Sequence, residues 1–347
     1  MYSIQGGDTV QVLCTARELN KLGIIADVYR ACDQIPYESY DLLHFFNLIR
    51  PSDHLYHIRK CKRPYVVSTI YVDYTDFDRN RSNKFHKGIR RLVGQSGAEY
   101  LKNIFRYTNG QDKLVSPEYL LGHQRAIRKV LGGASMILPN SLSEYKRVVK
   151  GIGYRGPYQV VPNGVDLDIF SEIPKNIDRE NKVLCVANIY GLKNQLSLIR
   201  ACWEIDVKLE LIGTHPPNHS RYYKLCKEIG GKSVTISGFI PQKQLVRRYA
   251  ASKVHAMPSW FETTGLSSLE AGAMACNLVV GSGGDTRDYY TADTWFCDPG
   301  EQKSVNKAVE LALNTPNTNS LRDIIMTYFT WTKAAVVTLN AYHRVLS

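Results

Sequence analysis

Residues 257–270 read Met257-Pro258-Ser259-Trp260-Phe261-Glu262-Thr263-Thr264-Gly265-Leu266-Ser267-Ser268-Leu269-Glu270. The apolar run Val254 to Met257 ahead of this stretch reads as a short buried strand, and the residues after Gly265 read as a helix, with Thr263 or Thr264 as its cap. A strand that passes through a loop into a helix is the unit from which parallel sheets are built, and ligands of such sheets bind in these loops, beyond the carboxyl ends of the strands. A helix start of this kind leaves amide groups near Gly265 and Leu266 free to meet an anion such as phosphate. Glu262 stands just before the helix and Glu270 about two turns into it, so the two carboxylates can flank one ligand. Taken alone they read equally well as ordinary acids near a helix N-terminus, where acids are common.

The same alternation extends in both directions. Val10, Leu13, Ala16, Leu19 and Leu22 recur every three residues, Asp8 or Thr9 can cap the start and Gly23 can end the turn, which predicts a helix over residues 9–22. Strands are expected at Ile24 to Tyr29, Asp41 to Phe46, Tyr65 to Ile70 and Ser135 to Leu138, with helices at Tyr119 to Leu131 and Ser143 to Lys150. The pattern restarts after residue 180, with strands at Val183 to Ala187, Lys208 to Ile212, Val234 to Ser237, Val254 to Met257 and Leu278 to Val280. Two α/β domains follow from this, joined by the turn-rich stretch Val160-Val161-Pro162-Asn163-Gly164-Val165-Asp166. We place the first over residues 1–168, the second over 169–328, and a terminal helix over 329–347. Only Met1 to Gln5 precede Gly6 and Gly7, so the strand expected ahead of a glycine pair is a stub. The expectation is that the native chain starts upstream.

Composition narrows the classes. The chain has 347 residues, 44% hydrophobic and 22% charged, as packed globular domains do. No run reaches the ~20 apolar residues that span a bilayer, and the start lacks the layout of a signal peptide, which points to a cytoplasmic protein. Eight scattered cysteines form no Cys-x-x-Cys pair and read as reduced packing residues. His54 and His57 have the spacing of metal ligands, as do His215 and His219, but Pro216-Pro217 keeps the second pair off one helix face. The formal charge of +12 is uneven: residues 1–165 carry 24 Lys and Arg against 14 Asp and Glu, and the remainder 20 against 18. The basic first half implies an anionic partner, whether nucleic acid, phospholipid or a phosphorylated substrate.

Several ordered stretches narrow the choice further. The donor-site stretch of the GT-B glycosyltransferases of family 4 is resembled by "MPSWFETTGLSSLEAGAMACNLVVGSGGDTRDY", and their glycine loop and first helix by "GGDTVQVLCTARELNKLG". Similar parallels hold for "VVPNGVDLDIF" at the domain junction, "VLCVANIYGLKNQLSLIRA" at the opening of the second domain, "GFIPQKQLVRRYAASKVHAMPS" before the donor site and "FTWTKAAVVTLNAYHRVL" at the terminal helix. The resemblance covers nearly the whole chain. It implies an α/β GT-B fold, two Rossmann-like parallel-sheet domains facing a central cleft, and a retaining transferase that takes a hexose-type sugar from a nucleotide diphosphate sugar. No cofactor and no metal are implied, the nucleotide sugar being a co-substrate. By the same resemblance Glu262 contacts the donor sugar as the catalytic residue and Glu270 the ribose, while Lys193, Thr264, Gly265 and Leu266 hold the diphosphate, approached by Gly6 and Gly7. Fixed positive groups there would stabilise the charge of the leaving diphosphate in place of a metal. Two departures stand out: Asn188 occupies the place of an arginine and brings a donor but no charge, and Tyr71 occupies the place of a histidine, so no first-domain catalytic histidine is carried over.

The basic stretch RNRSNKFHKGIRR, with Arg79, Arg81, Lys84, Arg90 and Arg91, has no acid and is followed by Tyr100, Phe105, Arg106 and Tyr107. It reads as an acceptor and membrane contact, because the family's first domain takes the acceptor, often a lipid-linked glycan at the inner face of the membrane, in cell-surface polysaccharide synthesis. A basic nucleic-acid-binding protein on a Rossmann-like scaffold and a GT-B nucleotide-sugar epimerase are the rival readings, and the expectation is of no nucleic-acid partner. The pairs Asp166/Asp168 and Asp76/Asp78 could hold a metal in other transferases. The first is better read as turn and helix-start acids, and the second lies in a loop. A glycosidase would also use two carboxylates, but has no need of a lysine and a helix N-terminus aimed at a diphosphate.

Overall fold

The computed structural model describes residues 6–72 and 122–347. The expected stub strand Met1 to Gln5, Asp76 and Asp78, and the basic segment with Arg79, Arg81, Lys84, Arg90 and Arg91 lie outside the described residues. The chain divides into two compact units: one holds residues 6–71, 122–162 and Ala334–Ser347, the other Asn163–Lys333.

The first unit contains a parallel sheet of β1 (Leu43–Phe46), β2 (Tyr65–Ser68) and β3 (Met136–Ile137), in that order, with Phe45 beside Val67 and Val67 beside Ile137. Around it stand α1 (Gly7–Lys21), α2 (Pro51–Lys60), α3 (His123–Gly132) and α4 (Leu142–Ile152). Val67, Leu55, Ile127, Val130, Leu131 and Val148 bury together as its core. The start of α4 is capped by Ser141, whose Oγ accepts from the Glu144 amide at 2.9 Å, and the buried Glu144 carboxylate accepts from the amides of Asn140 and Tyr71. Residues 24–29 form no strand, contrary to the alternating pattern. Alternation supplies a face but not a ladder partner; here the amide and carbonyl of Ala26 are met by the Asn20 side chain instead, and Ile25 is 81% exposed.

The second unit is built on six parallel strands, β4 (Glu180–Val186), β5 (Leu209–Ile212), β6 (Val234–Ile236), β7 (Ser252–Met257), β8 (Asn277–Gly281) and β9 (Thr294–Cys297), in the order β6-β5-β4-β7-β8-β9. Successive side chains of β4 point to opposite faces: Val183 and Cys185 pack with α6 (Gln195–Glu204), α7 (Ser220–Gly230) and α10 (Gln302–Asn314). Leu184 packs with α8 (Gln242–Ala250), α9 (Leu266–Ala273) and α11 (Ser320–Tyr328). A short α5 (Leu167–Phe170) begins at Asp166, whose carboxylate accepts from the Asp168 amide, so this acid starts a helix. Between the adjacent strands β4 and β7 the chain order reverses. This is the topological switch point at which open sheets bind ligands.

The last helix, α12 (Trp331–Leu346), runs from the second unit into the first, where Tyr342 bonds His44 Nδ1 at 2.7 Å.

Candidate active site

The site of the second unit starts from the ends of β4 and β7. After β4 the chain runs through Asn188 into a single turn of 3₁₀ helix, Gly191–Lys193, and Asn194 takes a left-handed conformation (φ 57°), held by a bond from its side chain to the Pro299 carbonyl. After β7, the Trp260 amide donates to the Leu192 carbonyl at 2.9 Å and ties the second loop to the first. This brings the side chains of Lys193 and Glu262 together: Nζ and Oε1 are 2.5 Å apart, and the two side chains are only 17% and 12% exposed. Largely removed from water, the pair interacts more strongly than a surface ion pair would.

The backbone of Glu262 is fixed by the glycine-rich turn that follows β8. Gly281, Gly283 and Gly284 run directly against the loop: a Cβ at these positions would stand 1.9 Å from the Ser259 carbonyl oxygen, 2.2 Å from that of Trp260 and 2.1 Å from that of Glu262. Gly284, at φ +88°, pairs with Glu262 as an isolated parallel bridge, and the Asp285 amide donates to the Glu262 carbonyl at 2.8 Å. Only glycine permits so close an approach. The signal was the glycine cluster after a strand.

The start of α9 differs from expectation in its cap. Neither Thr263 nor Thr264 caps it. Gly265, at φ +74°, holds the cap position, and the buried Thr264 hydroxyl accepts from Asn163 Nδ2 at 3.1 Å. The Thr264 and Gly265 carbonyls both accept from the Tyr290 hydroxyl, at 2.8 and 3.0 Å. Positive φ lets the chain turn sharply into the helix, and the first-turn amides of Leu266 and Ser267 are left without an intrahelical acceptor, in the field of the helix dipole. The turn can therefore offer these amides to an anion.

Glu270 lies on the same helix in different surroundings. It is buried, and its two oxygens accept from Gln242 Nε2 at 2.6 Å and from the Tyr249 hydroxyl at 2.9 Å. Burial pushes its carboxyl up to about 7, against the downward pull of those two hydrogen bonds. Two glutamates eight positions apart thus stand in different chemical states, one paired with a cation and the other held by neutral donors. Asn188 sits in the loop after β4, where its carbonyl accepts from Gln195 Nε2 at 3.0 Å. Gly6 and Gly7 belong to the first unit, at the start of α1, where Asp8 Oδ1 accepts from the Thr9 amide.

The histidines weighed as ligands pack as side chains. His54 stacks on Phe45, His57 is bonded by Tyr37 and by the Ala31 carbonyl, and His215 stacks on Tyr223. Among the described residues no group of three or more His, Cys, Asp or Glu is arranged to hold a metal, and no helix is long and apolar enough to cross a membrane.

A lysine, two glutamates and an open helix start thus stand on the elements that leave the switch point of this six-stranded parallel sheet. Residues 168–326 match the family described as Glycosyl transferases group 1. Sucrose-phosphate synthase from Thermosynechococcus elongatus is similar over 88% of this chain and 74% of its own, at 15% identity and a TM-score of 0.67. HepE from Anabaena, solved in complex with UDP, is similar over 88% of this chain and all of its own, at 14% identity and 0.60. The UDP-forming α,α-trehalose-phosphate synthase from Burkholderia xenovorans covers 97% of this chain at 10% identity and 0.61. No curated protein matches in sequence. The two-unit fold is thus that of the GT-B glycosyltransferases, as expected, and the chain is a glycosyltransferase.

Proposed function

We propose that this enzyme transfers a hexose-type sugar, with retention of configuration and without a metal, from a uridine diphosphate sugar to a glycan or lipid-linked glycan acceptor in cell-surface polysaccharide synthesis. One observation carries the reading: the Lys193–Glu262 pair stands in the loops at the switch point, and Glu262 lies four residues before the open start of α9. A diphosphate bound there would take Lys193 from Glu262 and accept from the amides of Leu266 and Ser267. Glu262, released, would accept from hydroxyls of the sugar, and Glu270 from those of the ribose.

In the reaction the bond from the anomeric carbon to the β-phosphate oxygen breaks, the acceptor oxygen bonds to that carbon, and the acceptor proton leaves with the diphosphate. Negative charge grows on the leaving group, and Lys193 with the helix start is placed to stabilise it. Uridine is favoured because HepE is solved with UDP, with UDP and glucose, and with UDP-glucose. The excess of basic residues in the first 165 positions supports an acceptor carried on an anionic membrane, at its inner face, through Arg79, Arg81, Lys84, Arg90 and Arg91.

A donor screen with purified protein and lipid-linked acceptor tests the reaction, with UDP release and labelled product as readout. Sugar transfer from a UDP donor is expected. Isomerised nucleotide sugar formed without acceptor would instead identify an epimerase. Charge reversal of the five basic residues is expected to weaken sedimentation with anionic liposomes, and unchanged sedimentation would remove the membrane contact.

A further inference from the structure

Gln242 and Tyr249 lie on one helix, α8, seven positions apart and so two turns of the same face, and both reach across to α9. Each ends on a different oxygen of one carboxylate: Gln242 Nε2 is 2.6 Å from Glu270 Oε1, and the Tyr249 hydroxyl is 2.9 Å from Glu270 Oε2. Tyr249 is fully buried among the core of that layer, whereas Gln242 is half-buried at the first position of α8. Gripped at both oxygens, Glu270 cannot rotate about its terminal torsion without breaking a bond to a charged acceptor, the stronger class of hydrogen bond.

We infer that Gln242 and Tyr249 are positioning residues for the donor: their bonds to its two oxygens hold Glu270 in one orientation, so that its remaining lone pairs are presented to the vicinal hydroxyls of a nucleoside. This rests on the donor reading given above.

Among the described residues the groups facing Glu270 are few. Gln242 and Tyr249 come from α8, Asp166 from the junction ahead of α5, and Tyr290 from the turn after β8; none is a cation. Burial and Asp166 favour the protonated carboxyl, and the two hydrogen bonds oppose them. Removing either bond therefore raises the pH at which Glu270 ionises. The sign follows directly: the anion accepts more strongly from hydroxyls than the neutral acid does, so nucleoside binding is strong above the midpoint and weak below it, and losing a bond moves that midpoint upward.

The test uses Gln242→Met, which keeps length at a half-buried site, and Tyr249→Phe, which removes only the hydroxyl. Two titrations are run on the full chain between about pH 5.5 and 8.5. One follows the Glu270 carboxyl in the ligand-free protein by carbon-13 NMR, assigned against Glu270→Gln. The other follows the affinity for UDP-glucose, whose diphosphate bears no monoester proton to titrate in this range. Both midpoints are expected to rise by about one pH unit in each variant, which is about a tenfold weakening of UDP-glucose near neutrality. Glu270→Gln is expected to abolish the pH dependence. An unmoved carboxyl midpoint in both variants overturns the inference whatever the protein binds. A midpoint that moves in a protein indifferent to UDP-glucose overturns the donor reading, and the positioning role with it.

Discussion

Lys193 and Glu262 lie 69 residues apart in sequence and meet at 2.5 Å across the loops leaving two adjacent strands. The lysine proposed to hold the diphosphate is thus already in contact with the carboxylate proposed to meet the sugar. Replacing Glu262 by Gln relieves Lys193 of that competitor. UDP is expected to bind the variant at least as tightly as the parent, while transfer collapses, because the freed carboxylate is lost to the sugar. Calorimetry for UDP and a transfer assay check the two halves. Weaker UDP binding in Glu262→Gln would show that Lys193 depends on the glutamate for its placement.

Asn188 gives the loop after β4 a neutral side chain where the family resemblance implies an arginine. Its carbonyl, not its side chain, accepts from Gln195, so substitution leaves that bond in place. Asn188→Arg is expected to tighten UDP by about tenfold, the worth of one charge-assisted bond, with an effect that shrinks as salt is raised. Titration at two ionic strengths checks it. An affinity unchanged at low salt would place Asn188 away from the diphosphate.

Gly284 holds the backbone of Glu262 at a distance no other residue tolerates. Gly284→Ala sets a Cβ 2.1 Å from the Glu262 carbonyl oxygen at a φ of +88°. A loss of stability on the order of 2 kcal/mol or more is expected, together with lost transfer, because the loop must shift to relieve the contact. Thermal unfolding and activity are measured together. Full stability and full activity would mean that the bridge between Gly284 and Glu262 plays no part in placing the carboxylate.

Transfer is expected to persist in EDTA, since Lys193 and the start of α9 are assigned the charge that a divalent ion carries elsewhere. Asp166 is committed to starting α5 by its bond from the Asp168 amide. Activity that disappears in chelator and returns with magnesium or manganese would defeat the metal-independent scheme.

Most of the second unit was legible in the sequence because its strands are short apolar runs separated by helical periods, and the loop motifs stand at their carboxyl ends. β9 went unread: Thr294–Cys297 is a four-residue edge strand with little pattern to find. Ile24 to Tyr29 was misread for the opposite reason, since it has the pattern of a strand but no ladder among the described residues. At the site, Glu262 and Glu270 stand out in the loop itself and Lys193 only through the family resemblance, and the structure brings Lys193 and Glu262 into contact. The partners of Glu270 could not be named, because Gln242 and Tyr249 reach it only through the packing of α8 against α9. Local preference offers Thr263 or Thr264 as the cap of α9, yet Gly265 takes that position and a tertiary bond from Asn163 takes the Thr264 hydroxyl.

The central claim is that Lys193 holds the diphosphate of a uridine nucleotide. Calorimetric titration of UDP into the purified chain and into Lys193→Ala tests it most directly, with thermal unfolding of both as control. UDP is expected to bind the parent and to bind Lys193→Ala about tenfold or more weakly at similar thermal stability. No binding to the parent, or equal binding to both, would contradict the account.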